Sequence, residues 1–258
     1  MPPPKASPLY SLGVIPRVTV SGPSLRGGNA GYSRHLWLHV VAIPSAFALL
    51  AWTASSSGFD RTISDVFYDA SLREFPAHHN FWLELFGHRV AKAAVWIVAL
   101  AVLVAAVVAP RIWPRKDQQR ALWVALPAMG VGPAIVYLLK QTTGQHCPWD
   151  LKAYGGFADA TSKWFVASVD AGHCFPSGHA SAGYALIALA FLGTAMGRPR
   201  LAYGGLAAAV LVGAAFSAVR VAQGAHFVSH NLWSAAIDWS AAALVFTPLL
   251  KRASRRAE

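Results

Sequence analysis

Residues 90–109 read VAKAAVWIVALAVLVAAVVA, with Lys92 as the single charge. At 1.5 Å per residue a helix of this length spans about 30 Å, the hydrocarbon thickness of a bilayer. Working outward, comparable apolar stretches run over 36–53, 121–139, 180–196, 201–219 and 232–250. The first is interrupted by His39 and Pro44, and the last contains Asp238. The pattern predicts an all-α, polytopic membrane protein with six transmembrane helices. Composition agrees: of 258 residues, 55% are apolar and 13% charged, and mean hydropathy is +0.41. Such a chain is neither disordered nor collagen-like, nor built as an ordinary soluble enzyme. No internal repeat is visible, and beside a bundle over 36–250 the length leaves no room for a second folded domain.

The net charge of +11 raises the question of nucleic acid, and the placement of the charges answers it. Segments 1–35, 110–120, 198–200 and 251–258 hold 14 basic and two acidic residues. Segments 54–92, 140–179 and 220–230 hold eight of each. Alternate connections are therefore basic, as the positive-inside rule requires, and both termini are expected in the cytoplasm. The basic excess needs no nucleic-acid partner. Residues 1–35, rich in Pro, Gly and Ser, read as a flexible cytoplasmic tail, and 251–258 as a basic one. The scattered charge of 1–35 does not fit a cleaved signal peptide. The aromatic-rich segment 54–89 is expected to form short interfacial helices. The polar stretch 140–179 is long for a mere connector and is expected to be functional.

With the N-terminus inside, the third and fifth spans end on the outer face, and the fourth and sixth begin there. Lys140 closes the third span, and Pro176-Ser177-Gly178-His179 opens the fourth. Arg220 closes the fifth, and His226 and His230 precede the sixth. Topology alone thus gathers two cations and three imidazoles at one depth. A Ser cap, a Gly backbone and a helix N-terminus form an anion site. Arg220 can grip a tetrahedral oxyanion bidentately, and Lys140 adds charge. A phosphate suits this set, and two histidines beside it can share the roles of nucleophile and proton donor.

At these residues the chain resembles the type 2 phosphatidic acid phosphatases (PAP2), whose site pattern vanadium haloperoxidases share. That pattern reads K-x6-R-P, then P-S-G-H, then S-R-x5-H-x3-D. Here Lys140 is followed after six residues by Cys147-Pro148, Pro176–His179 matches in full, and Arg220 is followed after five residues by His226. The resemblance spans roughly 90–250. It implies that His226 attacks phosphorus to form a phosphohistidine and that His179 protonates the leaving oxygen and then activates water. Lys140, Ser177, Gly178 N–H and Arg220 would hold the phosphoryl oxygens. No metal or other cofactor is implied. The implied substrate is a lipid phosphate or diphosphate, with phosphatidate, phosphatidylglycerophosphate, undecaprenyl diphosphate and lipid A phosphates all compatible. The implied place is a bacterial inner membrane with the site facing the periplasm. Transfer of the phosphoryl group to another lipid is open, and nothing specifies an oligomeric state.

Three positions depart from the pattern. Cys147 replaces Arg, Val219 replaces Ser, and His230 stands where an Asp would orient the nucleophile. His146 is a candidate substitute for the missing cation. His230 could accept an N–H from His226, with less stabilisation than a carboxylate gives. These departures keep alive a catalytically inactive relative that binds a lipid phosphate. The histidine count keeps alive a metal-binding membrane protein or transporter using His146, His173, His179, His226 and His230 with the two cysteines, although no zinc-type spacing is present. The phosphatase blocks must meet around one phosphate, which would bring Cys147 and Cys174 together in an oxidising compartment. There they either bridge, closing a loop worth roughly 3–4 kcal/mol, or remain separate buried thiols.

Overall fold

The computed structural model describes residues 28–85, 91–161 and 164–255. The expected basic positions Lys5, Arg17, Arg26, Arg89, Lys163 and Arg256 lie outside them. Six helices are long and apolar enough to cross a membrane, and no sheet is present among the described residues. The first span joins α1 (Gly28–Leu36), a π-helical turn (Trp37–Ala42) and α2 (Ile43–Ser56). A short α3 (Phe59–Phe67) and a single turn, α4 (Phe81–Glu84), precede the second span, α5 (Ala91–Ile112), and the third, α6 (Lys116–Lys140). The fourth is α7 (Gly178–Tyr184) continued by α8 (Ile187–Ala195), the fifth α9 (Pro199–Ala222) and the sixth α10 (Val228–Arg255).

The span boundaries move from those read in the sequence. The first helix begins at Gly28, inside the expected tail, and α10 runs to Arg255 through the expected basic one. Helix α10 also begins at Val228, so His230 lies in its first turn rather than before it. Hydropathy misses these ends because polar residues at helix termini continue the hydrogen-bond ladder past the apolar stretch.

α10 is the central helix and packs on α2, α6, α7 and α8. The shared core contains Leu122, Ile187, Phe191, Leu192, Phe246 and Leu250. Outward-facing side chains such as Trp96 (69% exposed) and Leu211 (70%) are apolar, the inversion expected where the solvent is lipid. Without water to drive helices together, close approach depends on small residues. A Cβ on Gly183 would come within 2.7 Å of Gly213 Cα, so this pair lets α7 lie directly on α9.

The basic connections meet at one end of the bundle. Gln118 Nε2 donates to the Met196 carbonyl at 3.3 Å, the Arg198 guanidinium lies 4.9 Å from the Trp113 ring, and Lys251 lies 5.8 Å from that of Tyr32. At the other end segments 57–85, 141–161 and 164–177 form a cap with a small core of its own. Phe75, Leu151, Tyr154 and Ala158 are buried there, with Tyr68, Trp149 and Phe227 packed against them.

Candidate active site

Each site residue is placed by a helix end beneath the cap. Ser177 is the N-cap of α7, its Oγ accepting from Ala180 N–H at 3.4 Å. Ser177 N–H donates to the His230 carbonyl at 3.3 Å, and Ser234 Oγ donates to the Ser177 carbonyl at 2.9 Å. These bonds fasten the start of α7 to the first turns of α10. Gly178 and His179 follow in the first turn of α7, where free N–H groups and the helix dipole favour an anion. Lys140 closes α6, and the His173 Nδ1–H donates to the Lys140 carbonyl at 3.1 Å, capping that helix.

Arg220 closes α9. Its guanidinium donates to Gln223 Oε1 at 2.8 Å and lies 5.5 Å from the Trp149 ring centroid. The backbone then turns through Gly224, whose φ is +68°. A Cβ there would also come within 2.4 Å of Phe75, so glycine is required twice over. The turn returns Ala225 and His226 N–H to the Arg220 carbonyl and sets His226 beside the arginine it follows in sequence.

His226 is 2% exposed. Burial holds its imidazole well below the ordinary histidine range, and positive charge from Lys140, His230, Arg220 and His179 acts in the same direction. The ring is therefore neutral at physiological pH, as a nucleophile must be. Its Nδ1 lies 3.4 Å from Cys174 Sγ, so an attacking nitrogen would be Nε2. Buried donors and acceptors in this neighbourhood have no partner in the protein, among them Arg220 Nε, Gln223 Nε2, His230 Nδ1 and Asn231 Oδ1. Buried polar atoms are rarely left so, and a phosphoryl group offers the acceptor oxygens that Arg220 and Gln223 lack.

The structure brings Lys140, Ser177, Gly178, His179, Arg220, His226 and His230 into one region. His230 is 4% exposed and its ring centroid is 5.9 Å from that of His226. Among the described residues no hydrogen bond joins the two imidazoles; a sulfur occupies the Nδ1 side of His226 instead. The His146 ring lies edge-on to Phe157 at 5.9 Å. Cys147 and Cys174 are joined by a disulfide, with Cα atoms 5.1 Å apart. Among the described residues the ligand atoms close enough to share a metal belong to Cys147, Cys174 and His226. With both sulfurs in the disulfide, no thiolate is left to ligate, so this set does not fit a structural metal.

Two contributors were not singled out from the sequence. Gln223 has no motif to announce it, except that it sits in the turn between Arg220 and His226. Asp60, on α3, is 7% exposed. Its Oδ1 accepts Ser229 N–H at 2.9 Å, its Oδ2 accepts Ser229 Oγ–H, and it takes a further backbone bond from Val228. A carboxylate contributed from 169 residues away thus caps the helix that carries His230. Burial raises the Asp60 carboxyl above the usual range, against the pull of these hydrogen bonds.

From the cluster a groove of about 840 Å³ runs between α5, α6 and α7, with Phe216 of α9 also on its wall. Lys140, Gly178 and His179 stand at its head, and Trp96, Leu103 and Met129 are among its walls. Leu126 at its far end is about 20 Å from Lys140 along α6. The walls are mainly apolar and belong to helices whose outer surfaces face lipid.

The family model described as PAP2 superfamily matches residues 121–253. The match begins within α6 and takes in every one of the clustered residues except Asp60. No curated protein matches the chain, and no solved structure does.

Proposed function

The chain belongs to the PAP2 superfamily, and on that premise we propose that it is a membrane phosphatase acting on a lipid phosphate or diphosphate at the extracytoplasmic face. The observation that carries this reading is the groove: an apolar channel for chains ends at Lys140, Gly178 and His179, a head for phosphate. A water-soluble phosphate ester would need no such channel.

In the proposed reaction Lys140, Arg220, Gln223 and the first N–H groups of α7 hold the phosphoryl oxygens, and their charge and dipoles oppose the charge that grows in the transition state. His226 Nε2 forms a bond to phosphorus while the bond from phosphorus to the lipid oxygen breaks. His179 gives its proton to that oxygen, and the lipid alcohol leaves. Water then loses a proton to His179 and attacks phosphorus, the P–Nε2 bond breaks, and inorganic phosphate departs. Sulfur is a poor acceptor for the Nδ1–H of the cationic phosphohistidine, so this intermediate is less stabilised than with a carboxylate partner. Release to another lipid instead of water would use the same groups.

The sulfur beside Nδ1, together with Cys147 in place of an arginine, favours one second reading, an inactive relative that binds the lipid phosphate and stops. Phosphate release from a panel of long-chain lipid phosphates in detergent separates the two. The phosphatase reading expects release from at least one lipid, and far less from glycerol phosphate. Tight lipid binding with no release from any member would replace it with the second.

A further inference from the structure

At the opposite end of the bundle lies a second cavity, of about 400 Å³, between the first span, α8, α9 and α10. It is unrelated to the catalytic groove: Tyr203 on its wall and Arg220 in the site are separated by most of α9, about 25 Å. Its polar lining is Arg34, His35 and His39 from the first span, Thr194 from α8, and Tyr203 and Trp239 from α9 and α10; the Thr194 hydroxyl donates to the Ala190 carbonyl at 3.0 Å.

Two features show a built site. The histidines lie where the first span leaves α-helical geometry for a π-helical turn, a departure that often marks function. They are also packed into a fixed array. His35 and His39 have ring centroids 4.5 Å apart, His39 stacks on Trp239 at 5.9 Å with planes 11° apart, and both imidazoles meet the edge or face of Phe191. Yet His35 Nε2, His39 Nδ1 and Trp239 Nε1 have no hydrogen-bond partner. His35 is 8% exposed. Among the described residues no acidic side chain lines the cavity, and buried polar atoms in lipid are costly unless something satisfies them.

We propose that this cavity binds the phosphate-bearing headgroup of an anionic phospholipid in the leaflet at the basic end of the bundle. Arg34 supplies the charge, and Trp239 Nε1 and the imidazoles supply the hydrogen bonds. The rest of the wall, with Leu38, Ile187, Phe191 and Leu206, is mainly apolar and covers the glycerol and upper chains. None of the catalytic cluster lines this cavity, which lies about 25 Å from it along α9, so the site is non-catalytic. Its chemistry is shared with free phosphate, but an apolar wall within a membrane span suits an amphiphile.

The test uses the full chain in a neutral detergent, with bound lipid counted by native mass spectrometry. The probes are phosphatidylglycerol, phosphatidylcholine and inorganic phosphate. The expected result is preferential retention of phosphatidylglycerol, weakened roughly tenfold or more in Arg34→Gln and His35→Phe, as for losing a hydrogen bond to a charged group. Lys140→Gln should leave this retention unchanged, which separates it from any lipid held at the phosphatase site. Because Arg34 is exposed, its variant is expected to fold even if His35→Phe does not. Equal retention in Arg34→Gln and wild type would overturn the proposal. So would equal retention of phosphatidylcholine, or displacement of the lipid by millimolar inorganic phosphate.

Discussion

His226 is both the most enclosed of the reactive groups and the one most surrounded by positive charge, and these facts set its titration. Its depressed pKa means that the neutral, nucleophilic ring persists as pH falls through the ordinary histidine value near 6.5. The acid limb of the kcat/KM profile should therefore lie well below pH 6.5; a limb centred near 6.5 would show an imidazole open to water. The same shift costs stability in acid. Below about pH 6.5 the unfolded chain takes up a proton that folded His226 refuses, so unfolding becomes easier as pH falls through that window. His230 tests the geometry around Nδ1. With no hydrogen bond between the two imidazoles, His230→Ala should lower turnover only a few-fold, whereas loss of a true orienting partner typically costs far more. Turnover of the variant measured against wild type decides. Lys140, Ser177, Gly178, His179, Arg220 and His226 were legible in the sequence because their spacing sits at span ends. Gln223 was not, because an amide in a turn carries no signature, and Cys174 beside His226 could not be read from a separation of 52 residues.

At the scale of elements, α10 is held in place by a residue far outside it. Asp60→Ala should destabilise the protein by about 1–2 kcal/mol, as for loss of a helix cap, and should lower turnover by freeing the helix that carries His230. Asp60→Asn, which keeps an acceptor for Ser229 N–H, should lose less, and thermal unfolding of both variants would compare them. Equal stability of Asp60→Ala and wild type would contradict the capping role. A second contact fixes α10 against α6. A Cβ on Gly132 would fall 2.0 Å from Asp238 Oδ1 and 2.9 Å from its Cα, and that Oδ1 accepts Ser181 Oγ–H at 3.2 Å. Gly132→Ala should push the helices apart and cost about 1–3 kcal/mol, read in the same unfolding assay. The apolar stretches made these helices visible, but the cap over them was not. Its core brings Phe75 and Tyr154 together from distant segments, and no periodicity records such a pairing.

Across the whole molecule the two ends are chemically different, one basic and simply connected, the other capped and carrying the candidate site. The alternation of charge along the chain anticipated that division, because each span reverses direction. The groove did not show in the sequence, since its walls come from four spans and read only as hydrophobic. If it holds the lipid chain, Ala99→Trp should raise KM for a long-chain lipid phosphate several-fold while leaving hydrolysis of a short-chain phosphate nearly unchanged. Equal effects on both substrates would mean that the groove is not the chain-binding surface. The central claim is that a buried, neutral His226, close to the Lys140 and His179 that head this groove, takes the phosphoryl group from a lipid. It is tested most directly by rapid quenching of turnover on a lipid carrying radiolabelled phosphate, followed by isolation of the protein under alkaline conditions that preserve phosphohistidine. The wild type should carry label and His226→Ala none, with phosphate release abolished in the variant. Release at the wild-type rate by His226→Ala would contradict the account.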